Sequence, residues 1–302
     1  MVGQNFSRNI RVYDGKTGRE VAGCWQFGRI TISTFYQWLA ASLKEPAPAT
    51  LFRCESANDL TPLGGPLDRE STETLAIGSY VILDKDRRLI DVAHSEHRPL
   101  LREYSTSHSH TSNSNEFVTR VRERDRQCCL TGMKVRGTNY TGFEVAHIFP
   151  FSQTDVWVEQ DMQRHISDPD VTDAEKMNSI QQGFLASATA HKLFNDYQLG
   201  VNPDDGYRIT DFGGMDDDST LDGRIFYVAD APEHYQPSPE LLRDHYRQCV
   251  LACMKAANSS TELRRFDPAP ADSTSNKGLG GQQGKGRNSL KWNWKRVSIG
   301  SR

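Results

Sequence analysis

Two histidines on either side of an amide-rich stretch are the residues of this chain best suited to chemistry. His147 ends the strand-like run F-E-V-A-H, and His191 lies on a helix-like run that begins at Ser187 or Thr189, so the order is strand, long loop, helix. His191 and Asn195 are four residues apart, and a helix therefore places both on one face. Imidazole and amide groups can hold a divalent cation. The arrangement is that of a compact metal site able to attack a phosphodiester.

Four short sequence pieces follow one another around these residues. They are C-x-x-T-G at residues 128–132, A-H-I-x-P at 146–150, Q-G at 182–183 and H-x-L-F-N at 191–195. This ordered set resembles an HNH endonuclease domain with the ββα-metal fold, in the version typical of uncharacterised fungal HNH-domain proteins. The ordered set is a more specific signal than any one piece.

The resemblance implies a role for each polar residue of the site. His147 is the expected general base, although a role as metal ligand stays open for it, and His191 with Asn195 is expected to hold the metal ion. The family has an asparagine before the glycine, where this chain has Gln182, and Asn178 lies four residues earlier. One of these amides is expected to fix the loop and orient His147. Mg²⁺ is the expected ion, with Mn²⁺, Ni²⁺ and Zn²⁺ as alternatives.

Three departures from the family pattern keep a second function open, and Gln182 in place of the family's asparagine is the first. Ala146 stands where many proteins of the wider superfamily have an acidic residue or histidine, and Asn195 stands where many relatives have aspartate. Both changes remove negative charge, and a site with few anionic ligands holds Mg²⁺ weakly. The first hypothesis is metal-dependent hydrolysis of DNA, with RNA as an alternative substrate. The second is a degenerate HNH module that binds nucleic acid or a protein partner without cutting.

Six basic residues are candidates for contact with nucleic-acid phosphates. They are Arg120, Arg124, Lys192, Lys291, Lys295 and Arg296. The first two lie on a helix predicted over residues 116–127, and the last three lie in a basic tail that also holds two tryptophans, a composition suited to backbone contact and base stacking. The alternatives are ordinary solvated charges and, for the tail, tryptophans that dock onto the folded part.

The N-terminal region predicts a small β-rich α+β module. Residues 8–27 read as a hairpin, a helix capped by Ser33 or Thr34 follows, and residues 50–54 and 76–83 read as strands. A ubiquitin-like topology is one option for this order. We find no chemistry in the module and expect it to serve folding or partner binding.

Composition divides the chain into four parts. They are an α+β module at 1–104, a polar linker at 105–115, an HNH domain with flanking helices at 116–260, and a disordered basic tail at 261–302. The net charge of -3 gives no overall attraction to nucleic acid. The sequence shows neither a signal peptide nor a membrane-spanning run, so we expect an intracellular protein, nuclear or cytoplasmic. The oligomeric state stays open.

Two further groups of residues have ordinary structural explanations. Cys128 and Cys129 are expected to be small buried residues, because the second cysteine pair of a zinc site is missing. The acidic segment at 155–175 is expected to be an inserted loop. Its Asp168, Asp170 and Asp173 are expected to be solvated, since their spacing lacks the glycine and terminal glutamate of a calcium loop.

Overall fold

The described chain has mixed α+β structure. The computed structural model describes residues 8–44, 49–95, 99–100, 102, 112–213 and 221–255. Lys291, Lys295 and Arg296 lie outside these residues, with the whole segment 261–302 and most of 105–115. A sheet region comes first and a strand–strand–helix unit follows it. The α+β class expected from the sequence is thereby confirmed.

The N-terminal region forms a four-stranded sheet that is covered by one helix. Its elements are β1 (Ile10–Asp14), β2 (Glu20–Cys24), α1 (Ile32–Ser42), β3 (Leu43–Lys44), β4 (Thr50–Cys54), β5 (Gly78–Leu83) and β6 (Ala93–His94). The sheet order is β2-β1-β5-β4, in which β1 and β5 are parallel and the other neighbours are antiparallel. The two-residue strands β3 and β6 pair separately. The predicted hairpin and the two later strands are all present.

The cap of α1 differs by a few residues from the prediction. The Thr31 hydroxyl, rather than that of Ser33 or Thr34, caps the helix, because its Oγ1 accepts a hydrogen bond from the Thr34 amide at 3.1 Å. Phe35 and Leu39 are buried against the sheet, as their helical spacing predicts. The helix therefore contributes one face to the core of the N-terminal region.

The second half of the described chain is built around two antiparallel hairpins. Its elements are α2 (Ser112–Asp125), β7 (Phe143–His147), α3 (Thr154–Glu159), β8 (Gly183–Ser187), α4 (Ala188–Asn195), β9 (Leu199–Asn202), β10 (Arg208–Asp211) and α5 (Pro239–Met254). β7 pairs with β8 and β9 pairs with β10. The expected long loop between the two histidines therefore contains a strand, β8, which runs directly into α4. α2 begins inside the segment expected to be a linker.

The acidic segment at 155–175 is folded rather than loop-like. α3 and short 3-10 helices at Met162–His165 and Asp173–Asn178 give it regular structure. Trp157 is buried, and its ring lies edge-on to Phe149 with 5.3 Å between the centroids. Asp168 is only 4% exposed. The expectation of a solvated Asp168 was wrong, because an arginine partner from α2 lay beyond the reach of a local spacing argument.

α5 connects the two halves of the described chain. Leu241 and Leu242 near its start belong to the core around β8 and α4. Val250 and Cys253 near its end belong to the core of the N-terminal sheet and α1. One helix therefore contributes to both cores. None of the helices in the described ranges is both long enough and apolar enough to cross a membrane.

Candidate functional site

The hairpin of β7 and β8 has two faces with different neighbours. Successive side chains of a strand point to opposite faces, so Glu144 shares a face with Ala146, whereas Val145 shares the other with His147. Ala146 packs in the core that contains α4, and Val145 packs with Phe117 of α2. The structure therefore places the ring of His147 and the helix α4 on different sides of the hairpin.

α4 presents His191 and Asn195 one turn apart, toward Glu144. The Ser187 hydroxyl caps this helix, as predicted, by accepting a hydrogen bond from the Ala190 amide at 3.4 Å. Oε2 of Glu144 lies 2.5 Å from Nδ1 of His191, and Nδ2 of Asn195 lies 2.9 Å from Nε2 of the same ring. The imidazole is thus held on one side by a carboxylate and on the other by an amide.

An arginine from before α2 joins this cluster. One terminal nitrogen of Arg102 donates to Oδ1 of Asn195 at 2.7 Å and to the carbonyl of His147 at 3.2 Å. The other donates to the carbonyl of Ile148. The guanidinium also lies over the rings of Phe194 and Tyr197, at 5.2 and 5.4 Å from their centroids. Arg102 therefore links the end of β7 to the end of α4.

The ring of His147 lies among aromatic side chains. It stacks on Phe117 with 4.4 Å between the centroids and a 26° angle between the planes. Phe151, which is 51% exposed, lies 5.3 Å away on the loop after β7. His147 is half-buried. The two histidines singled out by the sequence do not share one face of the hairpin. His147 lies at the end of β7, and His191 lies on α4, which packs against β7.

Gln182 fixes the loop that follows β7. Its side chain is fully buried, accepts a hydrogen bond from the Phe149 amide at 3.0 Å and donates one to the Phe149 carbonyl at 3.3 Å. The Ile148 amide donates to the Gln182 carbonyl at 2.8 Å. Asn178 is half-buried, and among the described residues its side chain has no hydrogen bond. Of the two amides, Gln182 is the one that contacts this loop.

Arg120 forms a network with two aspartates of the acidic segment. Its guanidinium contacts both oxygens of Asp168, at 2.9 and 3.0 Å, and one oxygen of Asp170 at 3.0 Å. Ser179 also donates to Asp168, at 2.8 Å. Burial alone would raise the pKa of Asp168, but the hydrogen bonds from Arg120 and Ser179 outweigh it and leave the pKa below its ordinary value. Arg120 therefore holds the acidic segment against α2.

Arg124 and Lys192 have contrasting surroundings. The Arg124 side chain is 4% exposed and donates to both carboxylate oxygens of Asp125, as well as to three backbone carbonyls. Lys192 is 62% exposed, and its Nζ lies 3.0 Å from Asp196 one turn away. Phosphate contact by Arg120, Arg124 and Lys192 stays a prediction. For Lys192 the exposure favours it, whereas the two arginines are engaged inside the protein.

Other titratable groups near the site are buried in apolar surroundings. His245 of α5 stacks on Phe194 with 3.5 Å between the centroids, and burial followed by the charge of Arg102 lowers its pKa well below the ordinary value. Cys128 and Cys129 are buried free thiols, as predicted. Among the described residues, no group of three or more histidine, cysteine or acidic side chains is placed to hold a metal ion.

Neither Glu144, Arg102 nor His245 was singled out from the sequence. Glu144 could have been found from the sequence, because strand alternation places it on the face of β7 opposite to His147, which is the face that packs on α4. Arg102 has no local signal, since it contacts the site only through the folding of the whole chain.

A comparison with known families matches one part of the chain. Residues 128–202 match the family model described as HNH endonuclease. The matched segment includes β7, β8, α4 and β9. No curated protein and no solved structure gave a significant match, so no ubiquitin-like fold was identified for the N-terminal region.

Proposed function

We propose that the HNH endonuclease domain at residues 128–202 makes this protein a metal-dependent endonuclease that hydrolyses DNA phosphodiester bonds. The observation that carries the proposal is the contact of Glu144 with Nδ1 of His191, on the strand and helix of a ββα unit. Metal-binding histidines commonly donate a hydrogen bond from their second ring N–H to a carboxylate, which fixes the tautomer and raises the basicity of the ligating nitrogen.

The donor set fits a divalent cation with few protein ligands. Nε2 of His191 would hold the ion, with Glu144 behind the imidazole. Asn195 would join it as a second ligand only after its amide turns, because its oxygen accepts from Arg102 and its nitrogen faces Nε2. Mg²⁺ keeps several waters and is often completed by substrate phosphate. Mn²⁺ shares this preference for oxygen ligands, whereas Ni²⁺ or Zn²⁺ suits an imidazole ligand better. When bound, the ion supplies Lewis acidity to the phosphate and to the leaving oxygen.

His147 is the proposed general base. An in-line displacement has the attacking and leaving oxygens on opposite sides of the phosphorus. His147 and the ligands lie on opposite faces of the hairpin, so a phosphate that contacts both would have to lie at the end of β7. The loop held by Gln182 starts directly after His147 and keeps this end of the strand in place. Lys192, on the exposed side of α4, would contact a neighbouring phosphate.

The test is plasmid nicking by the purified full chain with Mg²⁺, Mn²⁺, Co²⁺, Ni²⁺ or Zn²⁺. We expect metal-dependent cleavage that falls by about 10²–10⁴-fold in His147→Ala, the range for loss of a general base, and that is lost in His191→Ala. His165→Ala is the control, because His165 lies on the acidic segment and contacts Arg164 rather than the site. Unchanged cleavage in either site variant would remove that residue from the mechanism.

A binding module that does not cut is the second candidate function. Two observations favour it. The described residues contain no cluster of three histidine, cysteine or acidic side chains that could hold a metal ion. The positively charged guanidinium of Arg102 also lies beside Asn195, where a metal cation would have to bind. Fluorescence anisotropy with labelled duplex DNA separates the two functions. DNA binding without cleavage in the presence of any of the metals would favour the binding module, and metal-dependent cleavage would exclude it.

The tail at 261–302 is proposed to contact nucleic acid through Lys291, Lys295 and Arg296. Each phosphate contact makes the affinity more dependent on salt. The proposal expects a smaller salt dependence of DNA binding in a chain that ends at residue 260. RNA stays an alternative ligand, and the same titration with a duplex RNA would compare the two.

The N-terminal module is proposed to have a ubiquitin-like topology. Its order of hairpin, helix and strands, with the first strand parallel to a later one in the centre of the sheet, supports this. An intracellular location, nuclear or cytoplasmic, is likewise proposed. The six free, buried cysteines support it, because reducing compartments keep thiols reduced.

A further inference from the structure

Phe151 is an exposed aromatic side chain beside the candidate general base. It is 51% exposed, which is the largest exposed fraction of any phenylalanine, tyrosine or tryptophan in the described ranges. Its ring centroid lies 5.3 Å from that of His147, and the two planes are tilted by 49°. A half-exposed phenyl ring leaves apolar surface in water that the fold does not use. A ligand that reaches His147 can cover this surface.

The turn that carries Phe151 is held in place by hydrogen bonds to its backbone. The Gln182 side chain contacts both the amide and the carbonyl of Phe149, two residues before it. The Gln153 amide donates to the Pro150 carbonyl at 3.0 Å, which closes a turn that has Phe151 as its second residue. A ring on an ordered turn loses little freedom when a ligand covers it, so binding costs less entropy.

The neighbouring ring of Phe117 has a different role. It also stacks on His147, but it is only 2% exposed and packs in a core cluster with Leu185. Gly183 makes room for it, because a Cβ at that position would overlap Cζ of Phe117. Phe117 therefore packs against His147 from inside the protein, and Phe151 is the ring beside His147 that a ligand can reach.

A nucleobase is a suitable partner for this ring. Every base has a flat π face, and the bases of single strands stack on aromatic side chains with little dependence on sequence. In a duplex the neighbouring base pairs cover both faces, so a base reaches a protein ring only after it leaves the stack. The phosphate and the base of one nucleotide are joined by a single sugar, so one nucleotide can contact His147 and Phe151 together.

We propose that Phe151 is a substrate-contact residue that stacks on an unpaired nucleobase beside the phosphate at His147. The site then takes single-stranded or locally unpaired DNA in preference to a fully paired duplex. The inference rests on the proposed function for the class of ligand, nucleic acid, but it depends neither on metal binding nor on cleavage. It concerns the loop directly after β7, within the segment that matches the HNH family.

The test measures binding of the full chain to a labelled DNA single strand and to the matched duplex, by fluorescence anisotropy at one salt concentration without added metal. Phe151→Leu removes the π face and keeps an apolar side chain, whereas Phe151→Trp supplies a larger face. Tyr227→Leu is the control, because Tyr227 is a second exposed aromatic residue, at 37%, whose backbone amide donates to the carbonyl of Cys129. Melting temperatures show that each variant is folded.

We expect Phe151→Leu to weaken binding of the single strand by about 5–150-fold, the usual effect of losing one stacked base, and to leave duplex binding unchanged. Phe151→Trp and Tyr227→Leu should bind the single strand as wild type does. Ultraviolet irradiation of the wild-type complex should crosslink the single strand to a peptide that contains Phe151, which mass spectrometry identifies. This second readout separates contact at Phe151 from binding by other segments of the chain.

Unchanged single-strand affinity in Phe151→Leu would overturn the proposal. An equal loss of affinity for the single strand and the duplex, or a loss that Phe151→Trp does not restore, would also overturn it, because packing around His147 would then explain the effect. The proposed function is judged separately, by plasmid nicking. If no metal supports cleavage, the nuclease activity is excluded, and the strand preferences of wild type and Phe151→Leu still decide the role of Phe151.

Discussion

At the scale of single residues, the candidate site depends on partners of the two histidines rather than on the histidines alone. His191 is held by Glu144, and Arg102 reaches the same cluster through Asn195. His147 instead lies among aromatic rings. The side chains that orient His191 come from a strand and from the segment before α2, which a comparison of local spacing does not bring together.

Glu144 gives the first residue-scale prediction. In Glu144→Ala the imidazole loses the acceptor for its Nδ1 proton, so the affinity for Mn²⁺ should fall by about 10–100-fold. Glu144→Gln should be milder, because its amide oxygen still accepts that proton. Calorimetry measures both, and Glu159→Gln, on the exposed side of α3, is the control. Equal affinity in Glu144→Ala and wild type would show that this carboxylate does not support a metal ligand.

His245 gives a prediction for pH. Its pKa in the folded state is well below the ordinary value of 6.5, chiefly because of burial, so the unfolded chain takes up a proton that the folded chain does not. The neutral ring therefore contributes stability above about pH 6.5, and this contribution is lost progressively as the pH falls below that value. Melting temperatures from pH 7.5 to 5 should fall more steeply for wild type than for His245→Phe. Parallel slopes would contradict the assignment.

At the scale of elements, ion pairs with very different burial attach the acidic segment to α2. The Asp168 side chain is fully buried and contacts Arg120 in a bidentate manner, whereas Asp170, on the same arginine, is 53% exposed. The two carboxylates share a partner and differ mainly in exposure, so they form a matched pair for mutation.

Asp168→Asn should cost about 3–5 kcal/mol of unfolding free energy, the usual range when one partner of a buried pair is removed. Asp170→Asn should cost no more than about 1 kcal/mol, as for an exposed pair. Urea unfolding measures both. Similar costs for the two variants would show that burial does not strengthen this contact.

Local sequence patterns predicted some elements of the HNH region and missed others. The run that ends at His147 and the helix that carries His191 were predicted, because alternation and helical spacing act within a few residues. The strand β8 was taken for a loop, since its apolar run leads directly into a helix without a turn. The bonds of Gln182 to Phe149 and the position of Arg102 depend on tertiary packing, which local patterns do not specify.

At the scale of the whole molecule, α5 prevents the described chain from being two independent halves. Its first turns lie in the core of the HNH region, and its last turns lie in the core of the N-terminal sheet. The described residues accordingly belong to one compact unit. The described part should therefore unfold cooperatively rather than in two separate steps.

A fragment of residues 116–260, the boundaries suggested by composition, tests this arrangement. It would expose the buried apolar side of α5 that normally packs on the N-terminal sheet, including Val250, Cys253 and Met254. We expect a lower melting temperature and more binding of a hydrophobic dye than for a fragment of residues 1–263. Equal melting temperatures would show that the HNH region folds without the N-terminal sheet.

The six buried cysteines can serve as reporters of local opening in the native protein. All are free and at most 2% exposed, and they are distributed over the N-terminal sheet, the start of the HNH region and α5. A thiol reagent can therefore modify a cysteine only when the surroundings of that residue open. Cys24, Cys249 and Cys253 lie in one core, Cys128 and Cys129 in the core around β8 and α4, and Cys54 in a third cluster. The order in which these three groups become labelled would report which part of the native protein opens first, without any engineered probe.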